Sequence, residues 1–214
     1  WWQNYNIGIT GGSNNMRYAG SLGYTDDGGV AIGTGYNRFN AKINTDIKVT
    51  QKFIFSAGVN FSEGSKDEYS TPDFTQYHVI SRGLYCGPTQ RMYFDNGSPT
   101  PGVNSSSPNP LWFVATRTRD NIEQRFALSS SVKYNFTDKI DIVIPVTFFR
   151  RFYQYDYFEY AHIYSSARQG MSNMIYDHNL KIEPYINYSS NVFNKNHSIQ
   201  LTTAFHILNL GTKI

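Results

Sequence analysis

The sequence predicts an all-β fold, a transmembrane antiparallel β-barrel, and three observations support this prediction. Apolar and polar residues alternate along most of the 214 residues, as they do in strands with two different faces. Short polar turns alternate along the chain with long connections, which is typical of outer-membrane barrels. Aromatic residues make up 16% of the chain and charged residues only 16%, against roughly 25% charged residues in soluble domains.

The alternation predicts eight strands, arranged as four consecutive hairpins. It is clearest in the second hairpin, where Phe39, Ala41 and Ile43 alternate with polar residues and a second alternating run follows a short turn. Strands of ten or more residues fit the ~9–11 residues that a tilted strand needs to cross a membrane. In chain order, the predicted strands cover residues 5–10, 18–24, 36–49, 53–62, 125–134, 140–148, 180–189 and 199–205.

Some parts of the chain fit this pattern less well. The first strand is short, and the tail from His206 onward has an irregular pattern. Pro145 and Pro184 argue mildly against central positions for their strands, because proline cannot donate a hydrogen bond to the sheet.

The connections between hairpins are much longer than the turns inside them. They cover about 26–35, 63–120 and 156–176. Aromatic residues cluster near the strand ends, as the interfacial girdles of a barrel require. We expect the tight turns on the periplasmic side and the long connections, above all 63–120, outside the cell. The alternative interpretation is a secreted β-sandwich with one wet face, whose strands are usually shorter.

A period of two also assigns the side chains of each strand to one of two faces. The residues expected to face lipid are Phe39, Ile43, Phe55, Val59, Leu128, Ile144 and Leu201. Those expected to face the lumen are Arg38, Lys42, Asn60, Arg125 and Lys181.

The sequence contains no recognisable catalytic or metal-binding motif. The five histidines are scattered without an HExxH pattern, there is no GxSxG motif, and Cys86 is the only cysteine. We therefore expect no catalytic residues, no metal and no cofactor. The net charge of +3 is too small and too scattered to indicate a nucleic-acid partner.

The segment from Asn4 to Asp46 carries a recurring family motif. It resembles the early barrel of the SusC/RagA family, the TonB-dependent outer-membrane transporters of Bacteroidota, although Ile9 and Thr10 replace the commoner Val-Ser. The matching residues are Gly11, Gly12, Tyr18, Ser21, Gly23, Tyr24, Gly29, Arg38 and Asn44.

The resemblance covers nearly all of residues 1–214, which we treat as one partial barrel. The family's proteins have barrels of about 22 strands, and an N-terminal plug fills the lumen. The resemblance therefore implies that this chain forms about eight consecutive strands of such a barrel, without the plug. The chain starts at Trp1 without an initiator Met, which favours an internal piece of a longer protein.

The resemblance also implies a function and partners. The family imports glycan fragments or oligopeptides through the bacterial outer membrane, together with a SusD-like surface lipoprotein and with energy from the TonB complex. We therefore expect a transporter rather than an enzyme, in contact with outer-membrane lipid.

The long connection holds the predicted contact residues for substrate or partner. They are Trp112, Tyr85, Tyr93, Arg91 and Arg117, because rigid aromatic rings and arginines suit stacking on sugars or binding of peptides. Alternatively, these aromatic residues pack the connection against the barrel rim or against a partner.

Two other classes of function stay open at this point. An eight-stranded barrel can close on itself and act as a structural or adhesive membrane protein. A soluble carbohydrate-binding β-sandwich would show the same alternation.

Overall fold

A computed structural model describes residues 1–30, 32–67, 83–84, 86–104, 107–163, 166–192 and 197–213. The strands in these ranges are β1 (Trp2–Gly12), β2 (Met16–Asp27), β3 (Gly35–Lys48), β4 (Phe53–Asp67), β5 (Gly102–Asn104), β6 (Ser107–Pro108), β7 (Arg117–Thr137), β8 (Ile140–Glu159), β9 (Gln169–Ile182), β10 (Tyr185–Val192), β11 (His197–Ala204) and β12 (Ile207–Lys213). A short helix, α1, covers Pro110–Ala115. None of the described helical segments has the length and apolar character needed to cross a bilayer.

Ten of these strands form one antiparallel sheet in which chain neighbours are sheet neighbours. The order runs β1-β2-β3-β4-β7-β8, and β8 then pairs with β9 along one half and with β10 along the other. β12 continues the sheet beside β9, and β11 continues it beside β10. The sheet therefore consists of eight consecutive antiparallel rows of backbone, called here staves. The seventh stave is divided into β9 and β10, and the eighth into β11 and β12. This arrangement confirms the predicted all-β fold. β1 lies at one edge and β11 and β12 at the other, so the sheet of described strands is open.

The division of the last two staves falls at the two prolines. The Pro145 carbonyl accepts a hydrogen bond from Glu183 N (3.2 Å), and the Pro184 carbonyl accepts one from Phe205 N (2.9 Å). In an antiparallel strand, the N–H and C=O of one residue point toward the same neighbouring strand. Each proline carbonyl points to the place where the neighbouring stave is divided, so the N–H group that each proline lacks would point there too. The expectation that a proline argues against a central strand is thus wrong for Pro145, which lies inside the central strand β8. Pro145 is tolerated there because its position would donate no hydrogen bond to the regular ladder.

The strands extend further than the alternation predicted. β1 and β2 have 11 and 12 residues, so the first hairpin is not short. The tail is also regular, since Ile207–Lys213 forms β12 and pairs with Tyr176–Ile182 of β9. At the other end of the strands, β4 runs to Asp67 and β7 begins at Arg117, so the long connection is 68–116 rather than 63–120. Polar residues pair across β4 and β7 there, and the pattern of alternating hydrophobicity no longer marks the strand.

The register of the sheet sorts the side chains onto two faces. Ile43, Val59, Leu128, Phe148 and Leu180 are successive cross-strand partners on one side, called here the apolar face. Lys42, Asn60 and Ala127 are partners in the adjacent row and point to the opposite side, the polar face. All residues predicted to face lipid share the apolar face, and all those predicted to face the lumen share the polar face, so the predicted separation is confirmed.

The tight turns lie together at one end of the sheet and share a way of satisfying the backbone. In the turn between β3 and β4, Thr50 Oγ1 accepts hydrogen bonds from Lys52 N (3.2 Å) and Phe53 N (3.0 Å). In the turn between β7 and β8, Thr137 Oγ1 accepts them from Lys139 N (3.2 Å) and Ile140 N (3.1 Å). The long connections leave from the opposite end, as expected from the parity of the strands.

About half of the buried side chains of the described residues lie in the long connection, among them the most buried one. Trp112 and Phe113 of α1 are 8% and 4% exposed, and Asn109, the N-cap of α1, is fully buried. Large residues of the apolar face, by contrast, are exposed, for example Ile43 at 62% and Leu201 at 62%. Among the described residues, no other part of the chain therefore packs on the apolar face and covers it.

Candidate functional site

The polar face forms a groove near the end of the sheet that carries the long connections. Four neighbouring strands, β3, β4, β7 and β8, contribute to a cavity of about 280 Å³. Period-two alternation directs every second side chain of each strand into it. The lining residues are Tyr36, Arg38, Ser62, Gly64, Lys66, Asn121, Glu123, Arg125 and Tyr153.

Positive charge dominates this groove. Arg38, Lys66 and Arg125 face a single lining carboxylate, Glu123, so the groove has a net charge of +2 at neutral pH. Arg125 Nη2 donates to both oxygens of Glu123 at 2.9 Å, which compensates one of the three cations. Within the described part of the chain, no carboxylate pairs with Arg38. The groove is therefore suited to an anionic group.

A second ion pair continues from the groove across β8 to β9. Arg151 Nη2 lies 2.5 Å from Asp177 Oδ2, and Arg151 Nε donates to the same oxygen at 2.8 Å. Arg151 Nη1 also lies 3.9 Å from Glu123 Oε1. This network joins three strands and fixes Glu123 between two guanidinium groups. Arg38 of β3 and Lys66 of β4 are further cations that line the groove.

Above the groove, the polar face of β7 and β8 carries paired arginine and tyrosine side chains. Arg119, only 7% exposed, donates from Nε to Tyr155 Oη at 2.8 Å, and its guanidinium carbon lies 4.6 Å from the centroid of the same ring. Tyr153 Oη lies 3.5 Å from Asn121 Oδ1. These contacts hold the two long strands together where they extend toward the long connection.

The base of the long connection is an ionic cluster, called here the loop-base cluster, formed by Arg117, Tyr157, Glu159 and His162. Arg117 Nη2 lies 2.5 Å from Glu159 Oε1, and His162 Nε2 lies 2.6 Å from the same oxygen. Tyr157 Oη donates to Glu159 Oε2 at 2.9 Å and accepts a bond from Arg117 Nε at 3.1 Å. One carboxylate therefore binds three side chains from β7, β8 and the connection after β8.

Helix α1 packs directly on this cluster. The guanidinium carbon of Arg117 lies 3.5 Å from the centroid of the Phe113 ring. The rings of Trp112 and His162 meet edge to face, with centroids 4.8 Å apart and an interplanar angle of 74°. The cluster thus anchors the long connection to the strand ends by both ionic and aromatic contacts.

The surroundings shift the pKa values of two members of the cluster. Burial alone would raise the pKa of Glu159, but the hydrogen bonds from His162 and Tyr157 and the charge of Arg117 outweigh it and hold the pKa below the usual 4.5. Burial raises the pKa of Tyr157 above 10.0, and the hydrogen bond to Glu159 adds to this shift. Glu159 is therefore ionised and Tyr157 neutral at physiological pH.

The five predicted contact residues occupy different environments. Trp112 is buried and Arg117 is engaged by Glu159, Tyr157 and Phe113, so both have packing partners of their own. Tyr93 is 48% exposed, and the Arg91 side chain is 60% exposed and pairs with Asp95. Tyr85 lies outside the described residues. A contact of any of them with substrate stays a prediction.

Most residues of the polar-face groove are not recognisable as a site from the sequence. The alternation places Arg38, Ser62 and Arg125 on the correct face, whereas it assigns no face to Lys66 and Glu123, and Tyr36 and Tyr153 are expected only as aromatic residues near strand ends. Parity is the signal that could have found them, because Tyr36 is two residues from Arg38 and Glu123 is two residues from Arg125. Lys66, Glu123 and Tyr153 lie beyond the predicted ends of their strands, because β4, β7 and β8 extend further than the alternation predicts. Among the described residues, no group of three or more His, Cys, Asp or Glu side chains is placed to hold a metal ion.

Two curated relatives are similar to parts of this chain. A TonB-dependent receptor of Formosa agariphila is 26% identical over 141 residues, and the TonB-dependent receptor SusC of Bacteroides thetaiotaomicron is 28% identical over 117 residues. These matches cover 64% and 50% of the chain. No protein-family model matches the sequence.

The fold is similar to solved barrels over nearly its whole length. The RagAB peptide importer in its closed-closed state superposes with a TM-score of 0.80 over 97% of the chain at 13% sequence identity. In the open-open state the TM-score is 0.81 over 98% of the chain. The chain is SusC/RagA-like.

The open sheet of this SusC/RagA-like chain corresponds to an arc of a larger barrel wall. The chain spans 13% and 11% of the length of the two curated relatives, and 24% of the RagAB chain. The arc therefore carries eight antiparallel staves of a barrel, with the polar-face groove and the loop-base cluster on it. The relatives are named as receptors and as an importer rather than as enzymes.

Proposed function

We propose that residues 1–214 form one part of the wall of a TonB-dependent outer-membrane transporter. In this arrangement the apolar face contacts lipid and the polar face lines the lumen. The exposed Ile43, Val59 and Leu128 on one face and the charged groove on the other support this placement, because lipid-facing and lumen-facing residues alternate along the strands of membrane barrels. The protein is then located in the bacterial outer membrane, with connection 68–116 outside the cell.

The proposed activity is the import of glycan fragments or oligopeptides that carry an acidic group. The single observation that carries this proposal is the net positive groove, in which Arg38 has no described carboxylate partner while Tyr36 and Tyr153 offer aromatic surface. A guanidinium group binds a carboxylate through two parallel hydrogen bonds, and aromatic rings stack on sugar or peptide groups. The groove lies on the path that a solute would take through the lumen.

The proposed partners are a SusD-like surface lipoprotein and the TonB complex. The solved relatives named RagAB support a two-component assembly. On this chain, the exposed Tyr93 and Arg91 in connection 68–116 are the proposed contacts for substrate or lipoprotein. We assign the buried Trp112 and the ion-paired Arg117 the task of holding that connection in place, so their loss would affect such contacts indirectly.

The test is to replace Arg38 with Gln in the intact polypeptide that carries this sequence, and to measure uptake of acidic and neutral solutes of equal size. We expect R38Q to lower uptake of the acidic solute at limiting concentration roughly ten- to hundredfold, because charge-assisted hydrogen bonds contribute about 1.5–3 kcal/mol, and to leave uptake of the neutral solute unchanged. The matched control is K48Q, which removes an equal charge from the same strand and face at the tight-turn end. Equal effects of R38Q and K48Q, or no effect of either, would contradict the proposal.

A further inference from the structure

An arginine lies on the apolar face of β8, where this face begins to turn polar. Reading β8 from its tight turn, Ile142, Ile144, Val146 and Phe148 occupy this face, and the next residue on it is Arg150, which is exposed. The apolar face of β2 likewise changes from apolar to charged residues at Asp26, and that of β4 does so at Glu63.

These positions lie at one height above the tight turns. Asp26, Glu63 and Arg150 each follow the first residue of their strand by ten positions. At about 3.4 Å per residue and a strand tilt of about 40°, this corresponds to roughly 25 Å, the height of the apolar band of a membrane barrel. Arg150 therefore lies at the boundary on the side of the long connections rather than in the middle of the band.

Aromatic rings surround Arg150 and form an apolar groove beside it. The groove has a volume of about 410 Å³ and opens on the apolar face between β4, β7 and β8. The rings of Phe126 and Phe148 have centroids 6.4 Å apart, and Phe152 packs on Tyr176 with centroids 4.8 Å apart. The lining residues are Phe61, Gln124, Arg125, Phe126, Phe148, Arg150 and Phe152.

The charge of Arg150 has no compensating carboxylate within the described part of the chain. Its guanidinium carbon lies 5.6 Å from the centroid of the Tyr176 ring. The next residue, Arg151, points to the opposite face and is paired with Asp177. Glu63, on the same face two strands away, accepts a hydrogen bond from Gln124 Nε2 at 2.8 Å. Arg150 is thus an exposed cation beside an apolar groove.

We propose that Arg150 binds the phosphate of a lipid in the leaflet on the side of the long connections, with an acyl chain of the same lipid in the groove beside Phe126 and Phe148. The guanidinium fork matches the geometry of a phosphate, and lipid phosphates lie at the boundary of the apolar band. The groove accepts hydrocarbon just below that height. The site rests on the membrane placement proposed above, but it is independent of any transported solute.

The test uses the intact polypeptide in detergent micelles and two lipids with the same acyl chains, dioleoyl phosphatidic acid and dioleoylglycerol. Native mass spectrometry measures the bound lipid as each is titrated. We expect the wild-type protein to prefer the phosphatidic acid, and R150Q to bind it about tenfold more weakly while binding dioleoylglycerol unchanged. R150K, which keeps the charge but not the fork, should retain part of the preference.

The matched control is R151Q, which removes the neighbouring guanidinium from the other face of the same strand. It should keep the full preference for phosphatidic acid. Equal binding of the two lipids by the wild-type protein would overturn the site, as would equal loss in R150Q and R151Q. Full competition by millimolar inorganic phosphate would also overturn it, because the site would then bind any phosphate rather than a lipid.

Flotation with dioleoyl phosphatidylcholine vesicles separates failure of this site from failure of the membrane placement. A protein that floats with the vesicles but shows no preference for the phosphate-bearing lipid contradicts the site alone. A protein that does not float contradicts the membrane placement, and with it the lipid site.

Discussion

At the scale of single residues, Asn109 organises the described part of the long connection. Its Nδ2 donates to the Met92 carbonyl at 2.7 Å and lies 3.3 Å from Thr100 Oγ1, and its Oδ1 accepts from Leu111 N at 3.0 Å. The side chain thus caps α1 and at the same time binds the segment around Met92 and Thr100. Because Asn109 is fully buried, removal of its amide takes hydrogen-bond partners from groups inside the protein.

We predict that Asn109→Ala destabilises this part of the connection by about 1–3 kcal/mol, since the Met92 carbonyl and the Leu111 N–H lose buried partners. Hydrogen exchange of the backbone amides in 92–116 measures this loss, and the strands should keep their protection. The control is Asn96→Ala, because Asn96 is exposed and, within the described part of the chain, its side chain accepts hydrogen bonds from Ser98 alone. Unchanged exchange in N109A, or equal changes in both variants, would show that Asn109 does not hold the connection.

Single residues also mark the limit of what the sequence predicts. Asn109 followed by Pro110 is a recognisable helix start, because asparagine caps the first N–H groups and proline fits the first turn. The role of Arg117 could not be predicted in this way. Its partner Glu159 is 42 positions away in the chain, and only the register of β7 with β8 brings the two together.

At the scale of elements, the loop-base cluster joins α1, β7 and β8 through the Glu159 carboxylate. The pKa of Glu159 is lower in the folded protein than its ordinary value of 4.5. The stabilisation from the ionised carboxylate is therefore fully present above that ordinary value, and it is lost as the pH falls through the lower folded value.

We predict that acidification from pH 7 to pH 3 lowers the protection of amides in 110–117 beyond the change in intrinsic exchange rate. The measurement is hydrogen exchange at several pH values, for the wild-type protein and for Glu159→Gln. E159Q should show weaker protection already at pH 7 and little further loss on acidification. The same pH dependence in both proteins would mean that Glu159 does not anchor the connection.

The elements show which part of the fold period-two alternation can predict. It identified the eight staves and both faces, because a buried or lipid-facing row of side chains must repeat every second residue. It did not predict that β4, β7 and β8 extend well beyond the apolar band, since polar residues pair with polar residues there. It predicted one strand over 180–189, whereas in the structure this stave begins at Gln169 and is divided at Pro184 into β9 and β10.

At the scale of the whole molecule, the open edges of the sheet determine how the chain behaves alone. β1 at one edge and β11 and β12 at the other have backbone N–H and C=O groups that no described strand pairs. In a bilayer each such group costs several kcal/mol. We therefore predict that residues 1–214, expressed alone in detergent, do not form a heat-modifiable monomer.

The corresponding measurement is gel migration with and without heating, together with resistance to protease. A protease-resistant monomer that shifts on heating would contradict the prediction. It would favour instead a closed eight-stranded barrel with a structural or adhesive role.

The most direct test of the central claim, that one face of this sheet contacts lipid and the other water, is a spin-label scan along β4. Single cysteines at positions 55 to 63, in the intact polypeptide with Cys86 replaced by Ser, are labelled and reconstituted into bilayers. Accessibility to oxygen and to a water-soluble nickel chelate is then measured at each position. We predict high oxygen accessibility at Phe55, Val59 and Phe61 and high chelate accessibility at Ser56, Asn60 and Ser62, with a period of two. Uniform accessibility along the strand, or the opposite assignment of the two faces, would contradict this prediction.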